Sequence, residues 1–155
     1  SDFFMFIENS RFQIFNFIKF CGANNPLLPN LVIRNNTIKN TLEINEKLPF
    51  NLYARDLGFL TFEDNKIETD LISIWYSKSL SNFDFKNNQL VSEDISFRFY
   101  EVDGIVNVSN NTFSSDVKVR FDKLKSVDSF VWSQLKGELF SATAILANSS
   151  ASFFA

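Results

Sequence analysis

The sequence predicts a mainly β fold, a β-barrel or two-sheet sandwich with one short α-helix near residues 66–78. Three observations carry this. First, apolar and polar residues alternate. Ile95, Phe97 and Phe99 fall on one side of residues 94–102 and Ser96, Arg98 and Tyr100 on the other, and Val117, Val119 and Phe121 alternate with Lys118 and Arg120. A period of two belongs to a strand with one buried face. Second, these runs are short and separated by Asn, Asp and Gly, the residues that tolerate turn geometries. Third, Ile67, Leu71, Ile74 and Trp75 recur at i, i+4, i+7 and i+8 behind Asn65, which can cap a helix, with Glu68 at the capping-box spacing. Acidic Glu68 and Asp70 at the start and Lys78 at the end suit a helix dipole.

The remaining elements follow in order. Residues 3–21 are densely aromatic and read as a strand apolar on both faces, with a buried helix as the alternative. Residues 22–30 contain Gly22, Pro26 and Pro29 and read as a loop. Within it, Leu27 and Leu28 read either as a plug into the core or as a partner contact. Residues 31–33 and 38–44 read as strands around a turn at Asn35–Asn36. Another strand ends at Leu60-Thr61-Phe62, with Asp56 to Gly58 as a break before it. Asp103-Gly104 reads as a two-residue hairpin turn between residues 94–102 and a return strand over 105–109. Residues 127–134 are ambiguous, and 138–148 read as a last strand with small residues. No linker, charge block or tandem repeat divides the chain, so residues 1–155 read as a single domain, with the aromatic segment 1–21 as an arm or interface strand.

Composition narrows the function classes. Hydrophobic residues make up 45% of the 155, enough for a sizeable core, and Phe alone occurs 20 times. The net charge of −3 argues against a non-specific nucleic-acid binder, which needs a surplus of cations. Cys21 is the single cysteine, so no intrachain disulfide forms, and a reducing compartment fits. The first residues lack the basic region of a secretory leader, and no apolar run reaches the ~18 residues of a membrane helix.

The chain offers little chemistry. It has no His, which removes the commonest general base and the commonest zinc ligand. Its four glycines are isolated, so no phosphate loop is built. Ser77-Lys78 and Ser126 beside Lys125 lack the context of a Ser-Lys nucleophile. Glu63-Asp64 and Glu93-Asp94 are adjacent pairs whose members point to opposite faces of a strand, a poor arrangement for a shared proton or cation. Glycosylation sequons at Asn35, Asn107, Asn110 and Asn148 fit chance in a chain rich in Asn, Ser and Thr. No enzyme, metal or cofactor is expected.

The segment Leu57-Gly58-Phe59-Leu60-Thr61-Phe62-Glu63-Asp64-Asn65, running into a helix through Ile74-Trp75, resembles the tail tube proteins of contractile phages. In that family a strand ends in an acidic turn and leads into a helix with a Trp near its end. Residues 94–121, Lys125-Ser126-Val127 and the closing 138–153 are similar to its C-terminal half, and 20–29 occupy the place of its Pro-bearing loop. Leu28-Pro29-Asn30 departs from the Leu-Pro-Gly-like turn common there. The resemblance implies a hexameric ring stacked into a tube, with sheath or baseplate proteins as partners and no membrane. It also implies DNA passing through the lumen without specific binding, and a virion-tail location after assembly in the host cytoplasm. The sequence thus points to assembly rather than catalysis, with Phe6, Phe17, Leu27 and Leu28 as candidate subunit-interface residues. A calycin-like barrel holding a small apolar ligand and a lipid-handling β-module are the alternatives.

Overall fold

A computed structural model describes residues 4–12, 17–21, 30–40, 49–77, 82–101, 103–122, 126–136, 140–146 and 149–154. They form a parallel β-solenoid, in which the chain winds through two facing sheets and each turn lies on the one before. Along one side run β1 (Phe4–Glu8), β2 (Arg11–Phe12), β4 (Asn30–Arg34), β5 (Thr37–Lys39), β7 (Leu60–Glu63), β8 (Lys66–Glu68), β10 (Phe83–Lys86), β11 (Gln89–Val91), β13 (Asp103–Phe113) and β15 (Ser126–Lys136). These make the ten-stranded sheet A. Sheet B contains β3 (Phe17–Cys21), β6 (Pro49–Arg55), β9 (Leu71–Ser77), β12 (Asp94–Tyr100), β14 (Val117–Asp122), β16 (Phe140–Leu146) and β17 (Ser149–Phe154). Among the described residues, every pairing is parallel except that of β16 with β17.

The stacking exposes a repeat that sequence reading missed. Ile33-Arg34-Asn35-Asn36-Thr37-Ile38, Phe62-Glu63-Asp64-Asn65-Lys66-Ile67, Phe85-Lys86-Asn87-Asn88-Gln89-Leu90 and Val108-Ser109-Asn110-Asn111-Thr112-Phe113 occupy equivalent positions on successive coils. Ile7-Glu8-Asn9-Ser10-Arg11-Phe12 is the first copy, with Ser in place of the second Asn. Asn65, Asn88 and Asn111 follow one another at 23 residues, whereas Asn36 precedes Asn65 by 29. That longer coil, together with substitution at nearly every other position, hides the period.

Each copy bends sheet A at one left-handed residue. Asn9, Asn35, Asp64, Asn87 and Asn110 have φ between 54° and 57°, a conformation that Asn and Asp adopt more easily than other non-glycine residues. The next residue turns inward. Asn36, Asn65, Asn88 and Asn111 are buried and stacked. The Asn88 Nδ2 donates to the Phe62 carbonyl and to Asn111 Oδ1, while its Oδ1 accepts from the backbone N and the Nδ2 of Asn65. Asn65 repeats the pattern, donating to Ile33 O and Asn88 Oδ1 and accepting from Asn36. The inner amides both donate and accept along the ladder, which is what allows them to be buried.

Between the sheets the core is largely aromatic. Strand spacing in a sheet is about 4.8 Å, close to the separation of stacked rings. Phe62 and Phe85 stack with centroids 4.8 Å apart and planes at 10°, and Phe99 and Phe121 at 5.0 Å and 18°. Across the interior, Phe83 meets Phe99 and Phe85 meets Phe97 edge to face, at 5.0 and 5.1 Å. Each such pair adds roughly 0.5–1.5 kcal/mol beyond area burial. Phe is thus a residue whose shape fits the coil repeat.

The expected helix over 66–78 is not formed. Residues 66–68 and 71–77 make β8 and β9, and Lys78 lies outside the described residues. Ile72, Ile74 and Tyr76 alternate into the core, Leu71 is exposed and Trp75 is half-buried on the outer face. The strict period of two and the β-branched residues outweighed a helical spacing that arose from adding one strand's pattern to the next. Asn65, read as a cap, belongs to the buried ladder, and Glu68 pairs with Lys39 at 3.5 Å. The barrel is likewise replaced by two facing sheets. Asp103-Gly104 is no hairpin turn: β12 lies in sheet B and β13 in sheet A, and the chain changes sheet after Glu101, at φ 51°. The ambiguous 127–134 falls in β15, and the last expected strand becomes β16 followed by β17. The turn at Asn35–Asn36 and the break between β6 and β7 are present as expected.

Candidate functional site

In a solenoid each coil is covered by its neighbours. Among the described side chains, large apolar ones are exposed on the first coil of the stack. β1 is the outermost strand of sheet A, β2 pairs only with β5, and β3 is the outermost strand of sheet B. One edge of each is bonded to the second coil. No strand among the described residues occupies the other edge.

Side chains on β1 complete the picture. Met5 stands on Leu31, Leu60, Phe83 and Val106 in one inward column, and Ile7 on Ile33, Phe62, Phe85 and Val108 in the next. The lower members of both columns are fully buried, whereas Met5 is 40% exposed. The apolar interior therefore opens to solvent through Met5. On the outer side of the same strand Phe4 is 40% and Phe6 54% exposed. Their rings stack at 6.0 Å and 15°, Phe4 meets Phe59 edge to face, and the Arg34 guanidinium lies 5.8 Å from the centre of the Phe6 ring. Arg34 also pairs with Glu8 at 2.6 Å, which fixes the far end of β1. An apolar strand with a free edge is the arrangement that soluble proteins ordinarily blunt with charge or cover.

Of the four residues singled out from sequence, Phe6 lies at this edge. Phe17 begins β3, opposite Asn51 in the register, so its strand belongs to the same terminal coil. The structure thus brings the strands of Phe6 and Phe17 to one end. Leu27 and Leu28 lie outside the described residues. Met5 was missed. The signal for it is its alignment with the fully buried Leu31 and Leu60, which becomes readable only once the coils are superposed.

A second surface is the outer face of sheet B. Tyr53, Trp75, Arg98 and Arg120 form a column along the stack. Arg98 covers the Trp75 ring at 4.5 Å, and Tyr53 meets Trp75 edge to face at 5.3 Å. Asp122, buried, accepts from Nε of both Arg98 and Arg120, at 2.7 and 2.8 Å. Trp75 is therefore packed on the surface by a cation, neither a core anchor nor a free stacking platform. On sheet A, Glu8 and Arg34 are followed in the same column by Glu63 and Lys86, whose ion pair spans 3.2 Å. The Glu63 carboxylate, hydrogen-bonded to Lys86, raises the lysine's pKa above its ordinary value.

Chemical groups remain dispersed. A groove of about 330 Å³ at one corner is lined by Glu68, Asp70, Glu93, Ser92 and Ser114, but no three His, Cys, Asp or Glu residues among those described are grouped to hold a metal. Glu63 and Asp94 pair with Lys86 and Lys118 rather than with their acidic neighbours. Of the sequons, Asn35 and Asn110 sit at exposed left-handed corners, Asn107 donates to Asp84, and Asn148 lies outside the described residues. No protein-family model, curated protein or solved structure matches this chain.

Proposed function

We propose that this chain is a structural, self-assembling solenoid block that joins a larger assembly through the open edge of its N-terminal coil. The observation that carries this is the exposure of Met5, an inward-column residue, together with Phe4 and Phe6 on a strand whose outer edge no strand among the described residues pairs. Covering that edge satisfies backbone groups and buries apolar area in one step. The core between the sheets is filled by stacked and edge-to-face rings, which supports assembly over carriage of a small apolar ligand. The capped helix and hairpin that carried the tail-tube resemblance are strands of a stack, so the hexameric ring, lumen and virion location lack support from the fold. The assembly proposed here is edge to edge.

Light scattering behind size exclusion tests it. Wild-type protein runs as an oligomer at micromolar concentration. Phe6→Asp and Met5→Lys each weaken association by at least about 2 kcal/mol, roughly 30-fold, while the unfolding midpoint stays nearly constant because both side chains are substantially exposed. A wild-type monomer at every concentration contradicts the proposal.

A further inference from the structure

We infer that the outer face of sheet B is a second interaction surface, and that Arg98 and Arg120 at its centre take a carboxylate presented by an Asp or Glu side chain of a partner protein. None of the residues involved lies on the first coil, so this surface is separate from the β1 edge.

Tyr53, Trp75, Arg98 and Arg120 occupy matching positions on β6, β9, β12 and β14, at a strand spacing of about 4.8 Å. Arg98 and Arg120 are therefore direct neighbours, and like charges side by side in a sheet are destabilising. Asp122 bridges them from the adjoining column. Its Oδ2 accepts from Arg98 Nε at 2.7 Å and its Oδ1 from Arg120 Nε at 2.8 Å. The Asp122 side chain is 7% exposed, and a buried carboxylate needs a countercharge. One guanidinium supplies that. The second leaves the cluster with a surplus positive charge, in a chain whose net charge is −3.

Asp122 also shows that the two oxygens of one carboxylate span both guanidiniums. The Arg98 and Arg120 side chains are 39% and 54% exposed, so each still presents donors to solvent. A second carboxylate arriving from outside repeats the bridge that Asp122 makes from within. Arg98 is held between Asp122 and the Trp75 ring, 4.5 Å away, so little side-chain freedom is lost on binding. The Trp75 indole Nε1–H is buried with no acceptor among the described residues, which marks the same cluster as rich in donors and short of acceptors.

The neighbours of the pair decide the kind of partner. Lys118 is matched by Asp94 at 3.3 Å and Arg55 by Asp56 at 2.9 Å. The surplus is thus local and suits one carboxylate rather than the repeated charges of a nucleic acid, which calls for a run of cations. Beside it, Tyr53 meets Trp75 edge to face. Trp, Tyr and Arg are the residues in which protein interfaces concentrate their binding energy.

Nuclear magnetic resonance of the arginine Nε–H groups tests the site. Titration of the whole chain with a short oligoglutamate peptide should shift the Arg98 and Arg120 signals together, with saturation at millimolar concentration, and leave Arg55 in place. Arg120→Lys keeps the charge, and Arg98 still holds Asp122, but the fork is lost; affinity should fall about fivefold. Arg55→Gln removes the same charge from the same face and should change affinity by less than about twofold. No shift in the wild-type protein, which needs no variant to fold, overturns the site. Equal shifts at Arg55, or full affinity in Arg120→Lys, overturn it too, since charge alone would then explain binding. A stronger response to an oligogalacturonate or a DNA oligonucleotide of equal charge overturns the protein partner.

Discussion

Two adjacent asparagines do different work in three of the coils. The first takes the left-handed corner and is exposed at Asn35, Asn87 and Asn110. The second is buried and hydrogen-bonded to the coils on either side. Neighbouring substitutions should therefore diverge. Asn88→Ala removes the side-chain bonds to the Phe62 carbonyl, the Asn65 backbone N and Nδ2 and Asn111 Oδ1 in a buried ladder, and should cost about 3 kcal/mol. Asn87→Gly keeps the positive φ accessible and should change stability by no more than about 0.5 kcal/mol. Urea denaturation of the two variants measures the contrast; similar losses would contradict the ladder. The chain's richness in Asn was visible in the sequence, but composition alone made it look like background. Only stacking separates an amide that must be buried from one that merely turns the chain. Phe behaves similarly, since its frequency was legible and its fit to the coil spacing was not.

Elements were partly legible. Alternation identified β12 and β14, and turn chemistry identified the Asn35–Asn36 corner. Pairing was not legible, because period two says which face of a strand is buried but not which strand lies beside it. For that reason Asp103-Gly104 suggested a hairpin although β12 and β13 lie in different sheets. The helix failed for a related reason: Ile67 and the residues of β9 belong to two sheets, and their combined spacing imitated one helical face. If the coil is the true unit, whole units should be removable. Deleting residues 82–104 takes out one 23-residue period and brings Asn111 onto Asn65. The shortened chain should keep a β-type circular dichroism spectrum and cooperative unfolding at reduced stability, since solenoid stability is roughly a sum over coils and their interfaces. Deleting residues 82–93, half a period, should abolish cooperative unfolding. Equal tolerance of both deletions would contradict the assigned repeat.

At the scale of the whole molecule, parallel coils supply each other with backbone partners and apolar contacts everywhere except at the ends. The candidate interface was legible in part, because Phe6 and Phe17 were singled out for their aromatic setting and the fold assigns both strands to the terminal coil. Met5 was hidden, since its meaning depends on a column of residues spread over five coils. The lack of histidine was legible, whereas which strand edges the described stack leaves without a neighbour is a property no local pattern encodes. Hydrogen exchange of the β1 amides, followed as a function of protein concentration, probes that end directly. The account predicts that edge-facing amides within Phe4–Glu8 exchange freely in dilute wild-type protein and become protected as concentration rises, with no such gain in Phe6→Asp. Exchange of β1 that stays the same across concentrations would contradict it.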